Sequence, residues 1–160
     1  MAYERVQAYF DELHMGEKVK VHATPCDTVP HAAANFGCEE ARIAKTMSFL
    51  VDEQPIVIVS AGDAKVKNNK YKAFFHKKAK MIPWDQVEEI IGHEPGGVCP
   101  FVMNEGVKVY LDVSLKRFDV GHAAAGRPDA TVSLTIPELE QTSGMIEWVD
   151  LCDGWQSEEA

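Results

Sequence analysis

The sequence lacks the signatures of a membrane or exported protein. No run approaches the ~18 uninterrupted apolar residues of a membrane-spanning helix, and residues 1–18 carry acids but no apolar core of a signal peptide. The cysteines Cys26, Cys38, Cys99 and Cys152 form no C-x-x-C pair. Without an export signal they are expected to be reduced thiols, so the sequence predicts a cytoplasmic protein that contacts no membrane.

Motifs for metal, phosphate and serine chemistry are also missing. The six histidines show no H-x-x-x-H or H-E-x-x-H spacing. No G-x-x-x-x-G-K-[ST] phosphate loop, no G-x-G-x-x-G and no G-x-S-x-G occurs. The sequence therefore predicts neither a metal site nor a cofactor.

Cys99 is a candidate nucleophile because it lies in a loop with conspicuous side chains. A nucleophilic thiol needs a nearby base and a lowered pKa, and His93 or His122 is the candidate base. A cysteine between apolar neighbours is more often a small buried residue. A thiol-dependent enzyme therefore remains an alternative at this point.

The charge is acidic overall but unevenly distributed. The 160 residues carry a net charge of −9, whereas residues 64–84 hold seven lysines and no acid. With Tyr71, Phe74 and Phe75 interleaved, this lysine-rich segment is either a phosphate-contacting surface or a solvated helix whose aromatics face the core. The lysines of this segment that are candidates for phosphate contacts are Lys65, Lys67, Lys70, Lys72, Lys77 and Lys78.

Hydrophobic periodicity predicts short helices mixed with strands. Helices are predicted over 3–13, 27–37, 68–79, 85–92 and 137–144, and strands over 18–23, 46–51, 55–63, 107–115, 130–136 and 145–152. Strict βαβ alternation is absent, and no repeat or linker divides the chain. The sequence therefore predicts one α+β domain over 1–160 with a mixed sheet.

Two loops and one lysine are the candidate functional features. Gly96 and Gly97 remove the Cβ atoms that would keep a ligand from the main chain, so this loop could present N–H groups to an oxyanion or a phosphate, or simply turn. The small-residue loop 122–130 allows close approach of a ligand or of neighbouring backbone. Lys45, before an apolar strand, is either a surface residue or a cation that meets an anion.

Together these segments resemble the YbaK/EbsC family of aminoacyl-tRNA deacylases, which is similar to the editing domain of bacterial prolyl-tRNA synthetases. The matching stretches are residues 27–50, 57–66, 92–101, 107–118 and 123–139. The stretch "ARIAKT" at 41–46 and "GGVCPF" at 96–101 carry the resemblance most specifically. The resemblance implies a strongly curved, barrel-like mixed sheet surrounded by short helices.

The resemblance also implies an activity and its residues. The family hydrolyses a wrongly attached amino acid from the 3′ end of tRNA without metal or protein nucleophile. The implied catalytic residues are Lys45, Gly96, Gly97 and Val98, through backbone oxyanion stabilisation and attack assisted by the tRNA 2′-hydroxyl or by the substrate. The implied substrate-binding residues are His22, Thr28, Met47, Cys99, Pro100, Phe101, Ala124, Ala125 and Gly126.

The expected substrate is a tRNA that carries a small amino acid, of the Cys-tRNA(Pro) or Ala-tRNA(Pro) type. The expected partners are the tRNA acceptor end and prolyl-tRNA synthetase. The six lysines named above from the lysine-rich segment are then the residues predicted to contact tRNA. Members that cleave cysteinyl-tRNA often carry serine in the second loop, where this chain has Ala124. The alternative function is a non-catalytic module that binds tRNA or a synthetase and has lost turnover.

Overall fold

Short capped helices and apolar strands follow one another along residues 2–155, the part of the chain that this computed structural model describes. The helices are α1 (Ala2–Glu12), α2 (Val29–Phe36), α3 (Asn68–Phe75), α4 (Val87–Ile91) and α5 (Ile136–Ser143). The strands are β1 (Val19–Val21), β2 (Ala44–Val51), β3 (Gln54–Ala61), β4 (Lys65–Val66), β5 (Lys108–Asp112), β6 (Val120–Ala124), β7 (Ala130–Thr135), β8 (Glu147–Val149) and β9 (Cys152–Asp153). No helix within this range is long and apolar enough to cross a membrane.

The strands form three sheets. The largest has the order β2-β3-β5-β8, with β2 and β3 antiparallel and the other two pairings parallel. A second, antiparallel sheet has the order β1-β7-β6, and β4 pairs with β9. The mixed sheet and the α+β class are confirmed. The barrel-like curvature is not confirmed, because the strands of residues 2–155 divide into separate sheets and no closed barrel is found.

Helix ends follow the chemistry of their capping residues in two of the predicted helices. The Thr28 hydroxyl accepts a hydrogen bond from the N–H of His31, and Gly37 ends α2 in the left-handed conformation. Thr135 and Glu138 form a capping box at the start of α5. The helix predicted over 85–92 begins later than expected, because Asp85 lies in a 3-10 turn and α4 starts after Gln86 with no side-chain cap.

The predicted strand 107–115 is shorter than expected because Asp112 ends it. One carboxylate oxygen of this buried residue accepts a hydrogen bond from the N–H of Ser114, which starts a 3-10 helix. The other oxygen accepts from the N–H of Leu151, 39 residues away. A side chain that binds two distant main-chain segments in the interior determines this turn, and periodicity carries no signal for it.

The core lies on both sides of β3. Val57 and Val59 belong to the main apolar cluster, whereas Ile56 and Ile58 pack with Tyr71 of α3 in a second one. Burial of both faces explains why β3 is continuously apolar in sequence. Alternation along the adjacent strand β2 places Lys45 and Met47 on the face opposite to Ala44, Thr46 and Ser48. Because β2 is an edge strand of its sheet, residues of both faces border the same cavity at that edge.

Candidate active site

A cavity of about 420 Å³ opens where β2, the start of α2 and the two predicted loops meet. Its lining is mostly apolar with a few polar groups. The lining includes Lys45, Thr46, Gly96, Val98, His122 and Thr131. The fold therefore brings the predicted lysine and part of the glycine-rich loop to one concave site.

Gly97 joins the two loops and does not face the cavity. Its N–H donates to the carbonyl oxygen of Glu94 (2.9 Å), and its own carbonyl accepts from the N–H of Gly126 (3.1 Å). A Cβ at Gly97 would lie 2.5 Å from the backbone nitrogen of Arg127. The predicted role of Gly97 as an oxyanion donor is therefore not supported, because its N–H is occupied within the turn.

Gly96 and Val98 keep the predicted position. Both line the cavity, and neither backbone N–H has a hydrogen-bond partner among residues 2–155. Gly96 has a φ of +90°, a conformation that glycine adopts without steric cost. These two N–H groups are therefore the backbone donors of this loop that remain for a ligand.

Lys45 is a half-buried cation with no ion pair or hydrogen bond to any residue in the described part of the chain. Burial is the main cause that lowers its pKa, and the nearby charge of Lys65 acts in the same direction. A partly desolvated ammonium group is stabilised by an anion. Lys45 is therefore a candidate anion-binding group in this cavity.

The predicted substrate contacts fall into two groups. Thr28, Met47 and Ala124 line the cavity. The others do not line it: Cys99, Pro100, Phe101 and Ala125 are buried, Gly126 donates a hydrogen bond to Gly97, and Nε2 of His22 lies 2.8 Å from the hydroxyl of Thr131. For this second group the geometry does not support direct contact with a substrate, because none of them lines the cavity.

Cys99 is a buried residue of the core. Its side chain is fully buried, and burial raises the pKa of the thiol to about 12. Its sulfur lies 3.5 Å from Nε2 of His93, which is itself fully buried and hydrogen-bonded to the carbonyl of Phe101. A thiol that is neither accessible nor ionised is a poor nucleophile, so the thiol-dependent alternative has no structural support.

Thr131 and Thr46 are cavity residues that the sequence did not single out, and His122, which the sequence suggested only as a base for Cys99, lines the cavity as well. The ring of His122 stacks on Phe36 with a centroid distance of 3.9 Å, and its Nδ1 is 2.8 Å from the hydroxyl of Ser133. Burial lowers the pKa of His122, which favours the neutral imidazole. The Thr46 hydroxyl is buried without a partner within residues 2–155. Residues 120–124 form β6, which the sequence did not predict as a strand. Predicting this strand could have identified His122 as a residue of the cavity wall.

Within residues 2–155, three of the six lysines predicted to contact tRNA form ion pairs and three do not. Lys67, Lys70 and Lys77 pair with Asp153, Asp150 and Asp52, at 4.0, 3.0 and 3.2 Å. For Lys65, Lys72 and Lys78 no carboxylate partner is found among residues 2–155. The aromatic residues also divide, because Tyr71 is buried whereas Phe74 is exposed.

A metal site is not found in the described range, since no group of three histidine, cysteine, aspartate or glutamate residues is placed to hold an ion there. The four cysteines are free thiols.

The chain is similar to aminoacyl-tRNA editing proteins in sequence and in fold. A family model for the aminoacyl-tRNA editing domain matches residues 23–142. An uncharacterised protein, YwhH of Bacillus subtilis, is 40% identical over 98% of this chain and 100% of its own length. The proline–tRNA ligase of Streptococcus sanguinis is 28% identical over 74% of this chain, which spans 19% of that enzyme. A solved structure of a proposed trans-editing enzyme for prolyl-tRNA synthetase superposes with a TM-score of 0.85, 26% identity and coverage of 96% and 98% of the two chains.

Proposed function

Because this chain belongs to the aminoacyl-tRNA editing domain family, we propose that it hydrolyses the ester bond of a mischarged tRNA in the cavity beside Lys45. The chain covers only about a fifth of the prolyl-tRNA ligases that it matches, but all of YwhH. We infer that it acts in trans, on aminoacyl-tRNA released by a synthetase, which the likeness to a proposed trans-editing enzyme supports.

One observation carries the proposal. An unpaired, half-buried Lys45 shares a single cavity with two unoccupied backbone N–H groups, those of Gly96 and Val98. A cation and a pair of N–H donors are suited to a substrate that has both a phosphate and an ester carbonyl. The 3′ end of an aminoacyl-tRNA has both groups close together.

The reaction needs only modest assistance, because an aminoacyl ester is already activated. Water attacks the carbonyl carbon, and the negative charge that develops on the carbonyl oxygen is stabilised by the N–H groups of Gly96 and Val98. Lys45 holds the phosphate of the terminal nucleotide. The 2′-hydroxyl of the tRNA, or the side chain of the substrate, assists the attack, and the ribose 3′-hydroxyl leaves with a proton.

The cavity supports a small amino acid as substrate. Its wall includes Ala44, Ala123 and Ala124, whose side chains end at Cβ, together with Thr46 and Thr131. Alanine and cysteine are the substrates that we propose, attached to tRNA(Pro). A hydrophobic pocket discriminates one methylene by only about 10- to 200-fold, so we expect related small amino acids to be hydrolysed as well.

A panel of mischarged tRNAs tests this function. We expect the wild type to release alanine or cysteine from tRNA(Pro), and Lys45→Ala to lower kcat/KM by about 100-fold or more. Lys108→Ala is the matched control, since Lys108 is exposed on β5 and does not line the cavity. The measurement is release of labelled amino acid under single-turnover conditions.

The panel also separates the proposal from its main rival. Absence of hydrolysis of every small-amino-acid tRNA at micromolar enzyme would contradict the proposed deacylase. Tight binding of tRNA without hydrolysis would instead support the non-catalytic module.

A further inference from the structure

Two large apolar side chains are exposed beside the mouth of the cavity. Met81 is 60% exposed and Trp84 is 75% exposed, the highest value among the large apolar residues of the described chain. Both line the cavity, whereas the other exposed large apolar residues, Leu13, Val21, Phe74 and Ile146, do not. The exposed apolar surface at this site is therefore a local feature of the cavity.

The backbone holds these side chains outward. The Leu50 N–H donates to the carbonyl of Lys80 (2.9 Å), and the Ile82 N–H donates to the carbonyl of Ser48 (3.2 Å), so residues 80–82 lie along the edge of β2. Ile82 points into the core and is 4% exposed. Its neighbour Met81 must then point to solvent, because successive side chains of an extended segment alternate.

Trp84 is fixed between two buried anchors. Ile82 lies before it and Val87 after it, and both belong to the main core. Residues 84–86 form a turn of 3-10 helix between them. The indole itself has no ring contact, cation contact or hydrogen bond to any residue within 2–155. Its position is thus determined by the fold, while its faces remain available.

We infer that Trp84, with Met81 beside it, is a stacking platform for an unpaired base at the 3′ end of tRNA. The inference rests on the proposed function, because an ester held in the cavity places the attached ribose, and hence its base, close to the mouth. Flat aromatic side chains bind unpaired bases by stacking on their faces. Lys80, an exposed neighbour without a carboxylate partner among the described residues, adds positive charge to the segment that carries Met81 and Trp84.

The patch fits a base better than it fits a protein partner. A stable protein interface buries on the order of 1,200–2,000 Å², and two side chains on one short segment supply a small part of that. A single base covers one indole face, which matches the size of this patch. The neighbouring positive charge of Lys80 also suits a nucleic acid strand.

Binding of uncharged tRNA tests the platform without requiring hydrolysis. We expect Trp84→Ala to weaken the affinity for intact tRNA(Pro) by about tenfold or more, as loss of base stacking does, and Trp84→Phe to restore part of it. For tRNA(Pro) that lacks its last three nucleotides, wild type and Trp84→Ala should bind equally. Ile146→Ala is the control, because Ile146 is exposed but does not line the cavity.

Kinetics and fluorescence add two readouts that a structural defect would not reproduce. With aminoacyl-tRNA, Trp84→Ala should raise KM while kcat changes little. A short single-stranded RNA that ends in CCA should quench the wild-type tryptophan fluorescence, and the quenching should be lost in Trp84→Phe. Unchanged tRNA affinity in Trp84→Ala would overturn the platform, even if the wild type hydrolyses its substrate. Loss of binding to prolyl-tRNA synthetase alone, with RNA binding intact, would overturn it as well.

Discussion

At the scale of single residues, Gly97 shows how a residue can serve a site without facing it. Its missing side chain lets the backbone of the first loop approach the backbone at Arg127. The hydrogen bond between Gly126 and Gly97 then fixes the two loops relative to each other. The N–H groups of Gly96 and Val98 take their positions from this contact.

Gly97→Ala is expected to force the loops apart. Its Cβ would lie 2.5 Å from a backbone atom that has no freedom to rotate away, so we expect a loss of about 1–3 kcal/mol in the free energy of unfolding, which is typical of overpacking. Urea denaturation measures this. Gly121→Ala is the control, because a Cβ there would meet the nearest atom at 3.4 Å and requires little movement. Equal stability of the two variants would contradict this account.

At the scale of elements, α3 and the residues around it combine two roles. Tyr71 and Phe75 pack on the second core cluster, so the interpretation of a helix with its aromatics toward the core holds for these two residues. The lysines remain on the surface, and half of the six predicted to contact tRNA are neutralised by carboxylates in the fold. The unpaired lysines are the better candidates for phosphate contacts.

Lys72 and Lys78 provide the test of that surface. Both are exposed and without an ion pair among the described residues, so replacing both by glutamine should weaken tRNA binding. It should also reduce the slope of log affinity against log salt by about 1.4–1.8, the value for two lost phosphate contacts. Lys77→Gln, which removes a lysine paired with Asp52, should change the slope less. Equal slopes in all three proteins would exclude this surface as a tRNA contact.

At the scale of the whole molecule, three histidines oppose folding in acid. Burial lowers the pKa of His93, His122 and His22 below the ordinary value. The unfolded chain, where a histidine has a pKa of about 6.5, therefore binds protons more readily than the folded chain does. The contribution of these histidines to the free energy of unfolding is therefore fully present above a pH of about 6.5. It decreases as the pH falls below that value, and it stops decreasing once the pH is below the folded-state pKa.

This linkage predicts a weaker fold at pH 5.5 than at pH 7.5. Each histidine that stays neutral in the fold changes the free energy of unfolding by at most about 1.4 kcal/mol per pH unit. His93→Gln keeps an N–H donor for the carbonyl of Phe101 and should make the pH dependence shallower. His14→Asn is the control at an exposed position with a φ of +62°, which asparagine tolerates. Urea titrations at both pH values give the comparison, and identical slopes for wild type and His93→Gln would contradict the prediction.

Local patterns in the sequence were sufficient to predict the class of the fold and most of its elements. Periodicity indicated α1, β2, β3 and β7, and capping residues located the ends of α2, because these signals act between residues close in the chain. The motif that contains Lys45 and the consecutive glycines 96 and 97 identified the region of the site for the same local reason.

Which atoms of that region are available to a ligand depends instead on how distant segments pack together. Gly96 and Gly97 are adjacent, and both lack a side chain. The backbone N–H and carbonyl of Gly97 are hydrogen-bonded to Glu94 and Gly126, whereas Gly96 lines the cavity. Burial of Cys99, the position of His122 and the exposure of Trp84 likewise depend on contacts between segments far apart in sequence. Burial and hydrogen-bond pairing are properties of the packed chain, and no local pattern encodes them.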